Sequence, residues 1–207
     1  MSDISSSIVL EVLKNGLEGI ADGMAITVVR TSRSSVVRNG LDFSTALLNS
    51  KGQLIGQGMC QPIHLGGMEP ALKALLERYE GQIFPGDILI NNDPYEGGSH
   101  LPDIFQYKPI FADDVLMGFC CAMTHHTDIG GRVAGGNASD STEIYQEGLR
   151  IPPLKLYEKG NPNEALLRII ERAVRVPDKV MGDLLGQVAA MEYGEQRYLQ
   201  LVKTYGK

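Results

Sequence analysis

Glycine divides this sequence more sharply than any other residue. Most of the 24 glycines fall in the middle of the chain, where Gly97-Gly98, Gly130-Gly131 and Gly135-Gly136 stand as doublets. Such pairs mark backbone at positive φ or a close approach to another group. Loops of this kind, held on a β scaffold, are where binding and catalytic residues concentrate. The segments on either side carry a helical period instead. The expected fold is α+β: a mixed or antiparallel β-rich central region, with a long N-terminal helix before it and C-terminal helices after it.

Residues 5–35 read as one helix. Ser5 to Ser7 offer caps, and Ile8, Val12, Leu13, Leu17 and Ile20 recur at helical spacing. Gly16, Gly19 and Gly23 lie three and four apart on it. Each costs about 1 kcal/mol relative to alanine, which a closely packed helix contact would explain.

Region 35–160 reads as strands and turns. Asp42 to Leu48 and Gln53 to Ile55 form a hairpin around Asn49-Ser-Lys-Gly52. Gly66 to Tyr79 is a short amphipathic helix, and Phe84-Pro-Gly-Asp87 a turn before a buried strand, Asp87 to Asn91. Ile104 to Phe111 and Val115 to Thr124 pair across Ala112-Asp-Asp114. Region 161–207 is helical, with one helix from Asn163 ending before Pro177 and another from Asp178 to about Tyr205.

Length and charge narrow the function classes. A chain of 207 residues holds one ordinary domain or two small ones, and 43% hydrophobic with 21% charged residues fits a soluble globular protein. A net charge of -6 with no basic run argues against nucleic acid as a partner. Three cysteines, Cys60, Cys120 and Cys121, form neither a disulfide framework nor a zinc knuckle, so a cytoplasmic location is expected. Cys120 and Cys121 read as core. The start MSDISSS is not a signal peptide, and no apolar run approaches the roughly 20 residues that span a bilayer. A membrane partner is not expected.

Three of the four histidines, His100, His125 and His126, share a stretch with Asp93, Asp103, Asp128, Glu143 and Glu147. In His100-Leu-Pro-Asp103, Pro102 pushes Leu101 toward extended or polyproline II geometry. With three residues per turn, His100 and Asp103 then project to one side. Adjacent strand residues face opposite ways, so either His125 joins them, or His126 does with Asp128 on its face. Imidazole and carboxylate together suit zinc, manganese or iron(II), and three protein ligands leave a position open. His64 reads as a loop histidine capping the following helix. Gly97-Gly-Ser99-His100 is no nucleophile elbow, and Gly130 to Gly135 follows neither the P-loop nor the dinucleotide pattern.

At Asn92-Asp-Pro-Tyr-Glu-Gly-Gly-Ser-His-Leu-Pro-Asp-Ile104 the sequence resembles the hydantoinase B/oxoprolinase family. His125-His-Thr-Asp-Ile-Gly-Gly131, Glu143 to Pro153 and Gly182 to Ala190 continue the resemblance in order, and Ser44 to Gly58 matches upstream. It covers nearly the whole chain, as the amino-terminal portion of a subunit usually more than twice this long. A fragment, a split subunit or a shortened product is therefore expected.

The resemblance implies a hetero-oligomer with a hydantoinase A-type subunit that binds ATP. It also implies ATP-dependent opening of a cyclic amide (hydantoin, 5-oxoproline or lactam), whose carbonyl oxygen is phosphorylated and then attacked. Related members carboxylate ketones such as acetone or acetophenone, and a non-catalytic assembly subunit is a further alternative. The carboxylase branch implies His100, Asp103 and His125 as ligands of a divalent Mn, Zn or Fe ion. His126 and Asp128 are then catalytic candidates that orient a ligand or exchange protons, and Asp93, Tyr95 and Glu147 substrate-binding candidates. The glycine-bearing first helix is the expected part of the subunit interface.

Overall fold

The computed structural model describes residues 2–136 and 138–206, with side chains from residue 7 onward. Seven antiparallel strands form one sheet, ordered β2-β1-β5-β4-β3-β6-β7. They are β1 (Phe43–Asn49), β2 (Leu54–Gln57), β3 (Ile88–Asn91), β4 (Asp103–Ala112), β5 (Val115–His125), β6 (Leu154–Glu158) and β7 (Asn161–Pro162). Helices cover both faces, so the strands alternate between two cores rather than between a core and water. On one side α1 (Ser2–Thr31), α4 (Glu164–Ala173) and α5 (Pro177–Tyr205) bury Phe43, Leu47, Ile104, Cys120 and Ala122. On the other, α3 (Leu65–Arg78) buries Leu48, Phe105, Tyr107, Cys121 and Met123. The adjacent cysteines are both core residues, one in each layer. None of the described helices is long and apolar enough to cross a membrane.

The first helix begins earlier and ends sooner than its periodicity predicts. It starts at Ser2, so Ser5 to Ser7 lie within it, and it stops at Thr31. A buried carboxylate 150 residues away causes the stop: Asp183 Oδ1 accepts from the backbone amides of Arg33 (2.6 Å) and Ser34 (3.0 Å). Ser34 then caps a separate turn, α2 (Ser35–Arg38), by accepting from Val37 N.

The glycines of α1 do meet a helix, but within the chain. A Cβ on Gly23 would lie 2.3 Å from the Tyr193 ring, and one on Gly194 2.6 Å from Met24 Sδ. Gly16 faces Leu201 at the other end of the contact, so α1 and α5 run antiparallel. Gly16 and Gly23 thus serve the closely packed helix contact expected of them, with α5 as the partner.

The predicted hairpins form, with Asn49 Oδ1 accepting from Lys51 N and Gln53 N to shape the first turn. The β6–β7 hairpin, unannounced by any turn pair, adds the far edge of the sheet. Asn163 caps α4 through Leu166 N.

Candidate metal centre

The last residue of β5 and the first of β4 are directly paired, which sets His125 beside Asp103 at one end of the sheet. Both point to the α3 side, as the alternation of Met123, Cys121 and Phe105 requires. His100 reaches the same place through a hydrogen-bonded turn, closed by Asp103 N donating to His100 O at 3.0 Å, in place of the polyproline II step expected of His100-Leu-Pro-Asp103. Asp103 Oδ1 lies 3.0 Å from His100 Nε2 and 3.1 Å from His125 Nδ1. The two imidazole rings are 5.0 Å apart. Ser99 Oγ donates to the other carboxylate oxygen at 2.6 Å, leaving Oδ1 to the histidines.

Burial opposes the charge on Asp103, but hydrogen bonds from His100, His125 and Ser99 outweigh it. They hold the carboxyl far below the usual carboxylate range. The same bond to Asp103 raises the His100 pKa against the effect of burial. One ligating atom from each of these residues falls within 4.8 Å of the others. Donors bonded to one ion at about 2.0–2.2 Å sit at comparable separations, so the three residues fit a divalent metal in spacing as well as in chemistry.

Two further residues adjoin the cluster. Asp42 Oδ2 lies 4.0 Å from His125 Nδ1, and Asp42 Oδ1 lies 3.4 Å from His64 Nε2. His64 does occupy the position that caps α3, yet its side chain makes no capping bond there. Its Nδ1 instead lies 3.0 Å from Ser44 Oγ, which donates to Gln61 O. Burial lowers the His64 pKa, against the charges of Asp103 and Asp42. Asp42 and Ser44 share a strand face by simple alternation, the one sequence signal that they belong together.

The other predicted residues lie elsewhere at this end of the sheet. His126 turns to the opposite face, fully buried, with Nε2 3.0 Å from Thr124 Oγ1 and 3.3 Å from Gln187 Oε1 of α5. Burial holds its pKa down to about 4. Asp128 is buried and spent on Arg175, accepting from its backbone N (2.5 Å) and Nη1 (3.0 Å), and on Gly135 N. Asp93 accepts from Tyr95 N at 3.0 Å and pairs with Arg150, while the Tyr95 side chain is exposed. Glu147 follows a single 3-10 turn, Ile144–Gln146, and its charge acts on His100. Glu143 is exposed just before that turn.

Comparison with known proteins identifies the family and the fold. The profile of the hydantoinase B/oxoprolinase family matches residues 6–207. The chain belongs to that family. It is 41% identical over 202 residues to an uncharacterised protein of Methanocaldococcus jannaschii, covering 96% of this chain and 36% of that one. It is 39% identical over 199 residues to the caprolactamase beta subunit of Pseudomonas jessenii, covering 96% of this chain and 34% of the subunit. The crystal structure of that ATP-dependent caprolactamase superposes with a TM-score of 0.89 at 38% identity, over 97% of this chain and 34% of the other. Nucleotide-free acetone carboxylase shares the fold, with a TM-score of 0.91 at 24% identity over 97% of this chain and 27% of that one. The chain thus spans about a third of the length of these family relatives.

Proposed function

We propose that this chain is the metal-bearing part of an ATP-dependent amidohydrolase that opens a hydantoin, 5-oxoproline or lactam ring. The convergence of His100, Asp103 and His125 at one end of the sheet carries the reading. Family relatives named caprolactamase and 5-oxoprolinase support the reaction class. His100 Nε2, His125 Nδ1 and Asp103 Oδ1 would hold a Mn, Zn or Fe ion, with Asp42 in reach as a fourth donor. When bound, such an ion supplies Lewis-acid polarisation of an oxygen and a lowered pKa for a coordinated water.

The protein groups around it have defined work. Ser99 fixes the rotation of Asp103, and His64 holds Asp42 toward His125, so the donors are positioned before an ion arrives. Planar amides resist attack because resonance stabilises them, which is why ATP is needed: phosphorylating the carbonyl oxygen removes much of that stabilisation. An A-type partner subunit supplies the ATP site in this reading, in a cytoplasmic hetero-oligomer. His126 and Asp128 act on the site only through the strand and loop that carry them.

Metal analysis of the purified chain beside His100→Ala and Asp103→Ala tests the site. About one equivalent in the wild type and none in either variant is expected. Equal content in all three would overturn the ligand assignment. With an A-type subunit, ATP-dependent ring opening without bicarbonate is expected; bicarbonate consumption with a ketone would move the chain to the carboxylase class.

A further inference from the structure

The end of the sheet that carries the cluster also carries a guanidinium. Leu149 and Ile151 both pack into the core beneath α1 and α5, so Arg150 between them projects away from that core. Asn92 fixes its position. This fully buried amide donates from Nδ2 to Leu101 O at 2.6 Å and to Leu149 O at 3.1 Å, and its Oδ1 accepts from Ile151 N at 2.6 Å. A single side chain therefore ties the residue after His100 to both neighbours of Arg150.

The guanidinium is held without being used up. Its Nε lies 3.2 Å from Asp93 Oδ2, and its Cζ sits 5.7 Å from the centroid of the Tyr145 ring. Asp93 is itself 8% exposed and anchored by Tyr95 N. These contacts take one edge and one face of the group. The two terminal nitrogens have no protein partner among the described residues, and the side chain is 39% exposed. The Tyr145 ring beside it is itself 77% exposed. The chain is net negative, so anions do not gather on it without a local cause.

We propose that Arg150 is the oxyanion-binding residue of this site, gripping a carboxylate or phosphoryl group of the molecule whose reacting bond lies at His100, Asp103 and His125. The proposal rests on the reading of that cluster as the reaction centre. Arginine suits the task because its planar fork meets two oxygens at once, and a lysine ammonium does not. The Asp93 and Tyr145 contacts set the fork's orientation in advance, which reduces the ordering cost of binding.

Calorimetric titration of the whole chain with inorganic phosphate and, separately, with acetate tests this. Saturable binding is expected, with Kd raised about tenfold or more in Arg150→Met, as the loss of a charge-assisted pair requires. Arg150→Lys should recover only part of the affinity, and both variants should keep the wild-type metal content. Tighter phosphate binding would assign the site to a phosphoryl group; tighter acetate binding would assign it to a substrate carboxylate. A chain that holds its metal but binds neither anion, or binds them equally in Arg150→Met, would overturn the proposal alone. A chain that holds no metal but binds an anion through Arg150 would overturn the metal reading and leave the oxyanion subsite.

Discussion

Gln187 is the side chain on which the two ligand-bearing strands lean from behind. It is fully buried on α5, and its Nε2 donates to Ile104 O at 2.8 Å and to Ala122 O at 2.7 Å, one carbonyl from β4 and one from β5. Its Oε1 accepts from Gln106 Nε2 at 3.1 Å and faces His126 Nε2 at 3.3 Å. Gln187→Met keeps most of the volume and removes all four interactions. Gln106 and His126 retain other partners, Leu184 O and Thr124, so they are weakened rather than stranded. The two strand carbonyls lose a donor inside the core. At about 1 kcal/mol per lost bond, with an added desolvation cost for groups left without a partner, the variant should lose about 2–4 kcal/mol. For a chain of this length that lowers Tm on the order of 10 °C. Urea unfolding of the variant, beside the exposed Gln196→Met on the same helix as a control, would measure it. A loss within about 0.5 kcal/mol, the range of ordinary surface changes, would refute the claim that Gln187 braces the strands.

Three other outcomes follow from the same structure. His126, buried with a pKa down to about 4 against an ordinary 6.5, binds fewer protons folded than unfolded. In the metal-free chain its contribution should be fully present above pH 6.5 and fall by about 3 kcal/mol as pH drops toward 4; a pH series of urea melts in which His126→Gln keeps the same slope would contradict this. Gly97 stands at φ 90°, and a Cβ there would lie 2.5 Å from Pro70 O, so Gly97→Ala should cost about 3 kcal/mol in a thermal melt. Asp42→Asn should weaken metal binding about tenfold while leaving Tm of the metal-free chain unchanged, as read by competition with a chelator.

The parts of the site that were legible in the sequence are the local ones. The spacing of three brings His100 and Asp103 together, though across a hydrogen-bonded turn and not the polyproline II step it suggested, and strand alternation already separates His125 from His126. Which of the two faces the site depends on where α3 and α5 dock, information carried by residues 65–78 and 177–205 and not by the strand itself. Asp42 and His64 were illegible as a pair for the same reason: they meet only when α3 lies on the sheet. The early end of α1 was hidden because its cause, Asp183, belongs to the last helix. Strand β6 was obscured by Lys155, whose burial depends on the ion pair with Asp87 at 2.8 Å.

The direct pairing of Asp103 with His125 has a consequence for which changes in chain length the protein tolerates. From Gly118 to Thr124 each residue is matched one-to-one with both β1 and β4, and His125 follows with Asp103 as its β4 partner. Deleting one residue there would present His126 where His125 stands, adding one would present Thr124, and either would carry a buried hydrophobic set to the wrong layer. The turn at the other end of the hairpin, where Asp113 and Asp114 both have positive φ, lies a whole strand length from the cluster. Insertions there would leave the odd and even positions of both strands as they are. The hairpin is thus a ruler with one fixed end and one free end, and only its free end can record a change in length without altering the chemistry.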